Sequence, residues 1–201
     1  MPEKKSSFKL NAENVALDFV NTLDDRYLPS GPRELLTNYA DLLRFCRQAA
    51  ILTPAEVGRL SALPKASHEK SLGSAIELRE LLARVFYRLV DGRSPPAEDR
   101  IALERWAAAC ARHREMRWED GGLHWMWKGL DGDPDAPALL LAESALELIT
   151  ADPPTRLHTC ASDTCRWLFL DTSKNRTRRW CDMKICGNRA KARRYSAAHR
   201  E

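Results

Sequence analysis

The 201-residue chain has no long hydrophobic run: no segment approaches the roughly 20 uninterrupted apolar residues that a membrane-spanning helix requires. Its first residues, MPEKKSSFKL, start basic but continue into Asn11, Glu13, Asn14 and Asp18 instead of the apolar stretch and small-residue cleavage site of a secretion signal. Both absences lead us to expect a cytoplasmic protein with no membrane partner. Also missing are the short patterns of common catalytic chemistry. There is no His-Glu-x-x-His, nucleophile elbow, phosphate-binding glycine loop or dinucleotide fingerprint, so no enzymatic activity is expected. No Cys-x-x-Cys pair occurs either, which argues against a redox dithiol.

What is present is a globular composition, 44% apolar and 30% charged, with six Trp, four Tyr and five Phe. The net charge of +4 is unevenly placed. Residues 156 to 201 carry 12 Lys/Arg against 4 Asp/Glu, a net +8, whereas residues 1 to 155 hold 20 against 24, a net −4. A neutral or acidic body joined to a basic tail is expected when only the tail meets a polyanion.

Hydrophobic periodicity predicts a mainly α (α+β) fold. Val15 to Leu23 has helical spacing after Asn14 as N-cap, although VALDFVNTL also alternates in part as a strand would. Helical patterns follow at Asn38 to Ala49, Thr53 to about Ala62, about His68 to Leu89, Asp99 to His113 and Ala136 to Ala151. Thr53, Pro54 and Glu56 form a capping box with proline at the first helical position. The segment from Asp25 to Arg33 should be a loop. Met116 to Leu130 reads as a β-hairpin around Asp120-Gly121-Gly122, with Trp118, Trp125 and Trp127 sealing it against the helices. Asp18, Asn21, Asp24, Asp25 and Arg26 form a polar cluster able to border a ligand pocket, with Asp18 and Asn21 better suited as satisfied polar groups near a helix. Asp152-Pro153-Pro154 marks the boundary between a helical domain, 1–155, and a small module, 156–201.

Cys46 and Cys110 sit alone in apolar helical patterns and read as small buried hydrophobes. The other four, Cys160, Cys165, Cys181 and Cys186, form two pairs with four residues between partners and fifteen between the pairs. Such spacing suits tetrahedral thiolate ligation of one structural Zn²⁺, in a treble-clef or zinc-ribbon-like module too small to fold on its own apolar residues. An iron–sulfur cluster and disulfides are the other uses of four cysteines. The run from Trp167 to Asp171, a polar turn, and the return through Arg178-Arg179-Trp180 suggest a metal-pinned hairpin. Gly187-Asn188 then allows a tight start to a basic helix from Arg189 to Ala198.

Cys186-Gly187-Asn188-Arg189 and the surrounding CRWLFLDTSKNRTRRWCDMKICGNRAKARRY resemble the CGNR zinc fingers. The preceding region, opening with Ala16-Leu17-Asp18-Phe19-Val20-Asn21-Thr22, resembles the ABATE-type domain of bacterial proteins described as stress-induced transcription regulators. The resemblance implies a DNA-binding regulator. On its basic inventory, Lys174, Arg176, Arg178, Lys191, Arg193 and Arg194 are expected to meet phosphates of duplex DNA. Asn188 and Arg189 are placed either to read bases or to support the metal site. The body is left to sense a small-molecule effector or to form a homodimer. A zinc-stabilised module that meets protein or RNA without sequence-specific DNA binding is the alternative.

Overall fold

The computed structural model describes residues 7–151 and 156–199. The Asp152-Pro153-Pro154 boundary and Arg200, counted among the basic residues, lie outside the described residues.

Helix boundaries follow the local chemistry. Asn14 Oδ1 accepts from the amides of Ala16 at 2.9 Å and Leu17 at 3.4 Å, and so starts α1 (Val15–Val20) as a helix, not a strand. Asn38 caps α2 (Tyr39–Gln48) in the same way. In α3 (Pro54–Ser61) both halves of the capping box are formed, with Thr53 Oγ1 accepting from the Glu56 amide and the Glu56 carboxylate accepting from the Thr53 amide. The long α4 (Lys65–Val90) runs about 39 Å and buries Ala75, Leu78, Leu82 and Phe86. After α5 (Ala97–Arg112) come the hairpin β3 (Arg114–Glu119) and β4 (Gly122–Trp127), then α6 (Ala136–Thr150). The loop expected from 25 to 33 is closed by a two-residue ladder, β1 (Leu23–Asp24) with β2 (Arg33–Glu34).

Helix α6 occupies the centre, packing on α1, α2, α4 and α5. Its Ala138, Leu139, Leu141, Ala142 and Ala145 are buried, as expected for a helix that is apolar on most sides. Cys46 and Cys110 are buried in this core. Among the described residues Arg79 is the one buried cation: 2% exposed, it makes a two-pronged bond to Glu34 at 2.7 Å on each prong and reaches Glu80 at 2.9 Å. The pair of carboxylates outweighs the cost of burying the guanidinium and pins the β1–β2 ladder to α4.

The C-terminal segment holds β5 (Leu157–Thr159), β6 (Leu168–Leu170), one π-helical turn (Met183–Gly187) and α7 (Asn188–Ala198). The hairpin here differs from the expected one. The 168–170 strand pairs with 157–159, so the first cysteine pair lies in the connection between strands, and Arg178-Arg179-Trp180 is irregular. Apolar residues of this segment, Leu157, Trp167, Leu168 and Phe169, belong to the same contiguous core as Phe19, Phe45 and Leu141. The fold is thus mainly helical, with short hairpins and a C-terminal cysteine cluster. The three tryptophans of the β3–β4 hairpin depart from expectation: Trp127 packs on the core, while Trp118 and Trp125 are exposed.

Candidate metal centre and basic helix

The module is attached to the body by side chains that replace a strand partner. Asn21, buried at the end of α1, donates Nδ2 to the Leu168 carbonyl at 2.9 Å and accepts at Oδ1 from the Leu168 amide at 3.0 Å. Asp18 Oδ1 accepts from the amides of Asn11 and Ala12, both at 3.0 Å, and Ala12 in turn accepts from the Leu170 amide at 2.9 Å. Burial pushes the Asp18 carboxyl up to about 6 against the pull of those two amides. Tyr87 on α4 donates its hydroxyl to the Arg166 carbonyl at 3.1 Å, and the Arg166 guanidinium lies 5.1 Å from the Tyr27 ring and 5.8 Å from that of Tyr87. Asp18 and Asn21 are therefore satisfied groups, as their sequence positions suggested.

Cys160, Cys165, Cys181 and Cys186 converge, all buried, with every sulfur within 4.8 Å of the others. Cys165 and Cys181 are 3.6 Å apart, and Cys181 and Cys186 3.7 Å. A tetrahedron with Zn–S of about 2.3 Å has edges of about 3.8 Å, whereas a disulfide needs about 2.05 Å. All four are free cysteines. The first pair comes from the β5–β6 connection and the second from the turn that opens α7, so a helix follows the second pair, as in a treble clef. Amides of Ser162 and Cys181 point at the Cys160 sulfur, and the Trp167 amide at that of Cys165. The neighbouring thiols of Cys165 and Cys181 first, and those amides second, draw the Cys160 thiol below its ordinary range. Four sulfurs at this separation cannot all be anionic without a cation among them. The donor set therefore fits a metal ion that takes four thiolates.

The start of α7 is built differently from the expected Gly-Asn turn. Asp182 accepts from the Lys184 amide at 2.7 Å and the Ile185 amide at 3.3 Å, and so caps the π-helical turn that places Cys186. Gly187 has ordinary helical dihedrals, and a Cβ there would run into the flexible Met183 side chain, so the glycine leaves room for Met183 where it lies. Asn188 is simply the first, exposed residue of α7. Beyond it, no side chain of α7 is buried, and its packing is chiefly to the preceding turn. Arg189, Lys191, Arg193 and Arg194 are all exposed, with no acidic residue between Met183 and His199. Among the described residues none of these four, nor Lys174 or Arg176 on the 171–178 turn, makes an ion pair or side-chain hydrogen bond. That turn is set by Asp171, whose carboxylate takes the amides of Ser173 at 2.9 Å and Arg178 at 2.8 Å.

Arg178 stands apart from the other seven residues expected to meet DNA. Its Nη2 donates to the carbonyls of Asn11 at 2.8 Å and Cys181 at 2.6 Å, its Nε to that of Trp180 at 3.1 Å, and its plane lies 4.4 Å from the Phe169 ring. A guanidinium so engaged is a clamp between the N-terminal segment and the second cysteine pair. It leaves little for a phosphate.

A cleft of about 380 Å³ opens beside the cluster, lined by Asp24, Asp25, Leu28, Cys186 and Arg189 together with Asn11 and Trp167. Asn11 Oδ1 and Trp167 Nε1 are buried and unpartnered. The expected polar cluster thus divides. Asp24 and Asp25 border this cleft, while Arg26 is held by Glu80 at 2.5 Å. Sequence reasoning missed Asn11 and Trp167 because an isolated Asn and an aromatic in an apolar run carry no spacing signal.

Two family models match the chain: ABATE, described as "Putative stress-induced transcription regulator", over residues 13–152, and the CGNR zinc finger over residues 156–199. No curated protein matches. The first match spans more than half of the chain and the second takes up the cysteine cluster, so the protein belongs to the ABATE family and carries a CGNR zinc finger after that domain.

Proposed function

We propose that this protein is a DNA-binding transcription regulator of the bacterial cytoplasm, with a stress-related role as the family's description has it. One structural Zn²⁺ held by Cys160, Cys165, Cys181 and Cys186 braces the module, and α7 meets duplex DNA. The observation that carries the reading is the exposure of α7: a helix with four cationic side chains, no acidic one and no buried face has nothing to do for the core. Zinc would supply a closure worth roughly 10 kcal/mol or more in small modules. Arg193 and Arg194, with Lys191, then give the helix phosphate contacts, and Lys174 and Arg176 add others from the neighbouring turn. Asn188 and Arg189, at the end of the helix nearest the cluster, are the candidates for base edges. An effector of the body would be taken in the cleft where Asn11 Oδ1 and Trp167 Nε1 lack partners.

The test is a fluorescence anisotropy titration of the zinc-loaded chain on duplex DNA, single-stranded DNA and RNA at several salt concentrations. With five phosphates neutralised by Lys174, Arg176, Lys191, Arg193 and Arg194, the logarithmic slope with salt should be about −4.5 on duplex DNA. Replacing Lys191, Arg193 and Arg194 together by Ala should flatten it by about three. Unchanged affinity and slope with the metal retained would exclude α7 as the DNA contact. Preference for RNA would move the module to the alternative class.

A further inference from the structure

The β3–β4 hairpin is covered only at its base, where Trp127 packs on the core, and its outer part leaves both faces open. In its ladder Met116 lies opposite Trp125 and Trp118 opposite Leu123. Residues opposite one another and two apart along a strand point the same way, so these four form one apolar face. They are exposed by 53%, 59%, 71% and 56% in the order Met116, Trp125, Trp118, Leu123. The other face carries Glu115, Arg117, Glu119 and His124 with Met126 opposite Glu115, and its charges pair along the strand, with Arg117 2.5 Å from Glu115 and 4.0 Å from Glu119. A water-facing hairpin needs only the second face. The base of the hairpin is anchored: Trp127 packs on the core, and Arg114 lies 4.8 Å from its ring and 3.5 Å from Glu143 of α6. The apolar tip is thus presented from a fixed support. Beside it a groove of about 470 Å³ runs between α5 and α6, lined by Ala107, Ala111, Leu146 and Glu147 with Trp125 at its edge.

We propose that this face is where two copies of the chain associate. The area is of the right size. At the observed exposures the two tryptophans leave roughly 300 Å² outside, and Met116 and Leu123 bring the patch to roughly 500 Å². That is near the upper end of what a monomer leaves uncovered. A stable interface takes about 800 Å² from each partner, and in homodimers about 65% of it is apolar, again about 500 Å². The same surface offers both an exposed Trp118 and a groove with Ala107, Ala111 and Leu146 among its lining and Arg114, Glu143, Glu147 and Thr150 as its polar part, so one copy can present the side chain and the other receive it about a two-fold axis. Only the consequence rests on the DNA reading: a dimer would present two α7 helices to two half-sites.

Sedimentation equilibrium of the full zinc-loaded chain without DNA, from about 0.1 to about 100 µM, tests it. The expected result is reversible association to twice 22.8 kDa. Trp118→Arg should weaken it by at least roughly thirtyfold, the scale of a central tryptophan, and Met116→Lys should weaken it as well. Both side chains are mostly outside the core, so thermal unfolding at a concentration low enough for the parent to be monomeric should be unmoved, and a loss of dimer then cannot be a loss of fold. A chain that stays monomeric throughout, or a dimer as tight in both variants as in the parent, would overturn the proposal. Because DNA is absent, failure of α7 to bind DNA would leave this result as it stands.

Discussion

Asn21→Ala is the substitution that most directly probes how the cysteine module is held. Asn21 is 4% exposed and satisfies both backbone groups of Leu168, which is itself fully buried. Alanine removes both bonds and leaves a buried amide and a buried carbonyl unpaired. At about 1–3 kcal/mol for each, the cost should be about 2–6 kcal/mol, a large share of the 5–15 kcal/mol by which a domain is stable. For a chain of this length, 3–4 kcal/mol corresponds to a fall in Tm of about 10 °C. Asn21→Asp should do no better, since it places a second acceptor opposite the Leu168 carbonyl. Urea unfolding would be followed by far-ultraviolet circular dichroism and, in parallel, by release of zinc to a chromogenic chelator. Because Leu157, Leu168 and Phe169 share the core of α1 and α6, both probes should report one transition, and both should shift together in the variant. A cost under about 1 kcal/mol, or zinc release well before the helices melt, would refute the shared-core reasoning.

Three further outcomes follow from individual side chains. Cys181→Ser should release the metal and free α7, and elemental analysis of protein purified without added metal should find one zinc per chain; no zinc, or iron with sulfide, would refute the assignment. Arg178→Ala should cost about 2–3 kcal/mol in urea unfolding through the carbonyls of Asn11 and Cys181, with the salt slope of DNA binding unchanged, whereas a slope shallower by one would make Arg178 a phosphate ligand after all. The Asp18 carboxyl, raised by burial to about 6 in the folded chain from about 3.9 when unfolded, contributes stability that is full below about pH 4 and lost as pH rises through about 6. Unfolding midpoints should therefore rise from pH 7 to pH 5 in the parent and less so in Asp18→Asn, and equal slopes in both would exclude Asp18 as the source.

Local chemistry was legible wherever a few neighbouring residues decide the outcome. Asn14 and the Thr53–Glu56 box place two helix starts, and the cysteine spacing identifies the cluster, because caps and ligand pairs act over a handful of residues. What failed depended on distant partners. The strand at 168–170 pairs with 157–159, and the Leu168 backbone groups left over by that ladder are taken by Asn21, 147 residues away in the chain. Arg178 looks like its neighbours Arg176 and Arg179 in sequence, and only the carbonyls of Asn11 and Cys181 set it apart. Gly187 suggested a turn, yet its dihedrals are helical and its role is steric, which depends on where Met183 lies. The aromatic hairpin was legible as a hairpin, but not that two of its three tryptophans face outward.

The placement of the four cysteines explains why a module this small can carry an exposed helix. Cys160 and Cys165 sit on a hairpin tied to the body by Asn21, by Ala12 through the Leu170 amide, and by Tyr87 through the Arg166 carbonyl. Cys181 and Cys186 sit at the start of α7, which buries nothing of its own and packs chiefly on the turn before it. Arg178 and Asn11 add the only other ties the second pair makes to the N-terminal segment among the described residues, both through the Cys181 carbonyl. The sulfur cluster therefore joins a hairpin that the core already holds to a turn at the edge of that core, from which α7 projects with no buried side chain. A metal there contributes less to the hairpin than to the direction in which α7 points. The tip of β3–β4 and α7 are thus both surplus to the core, one apolar and one cationic, and each is fixed at its base by buried contacts.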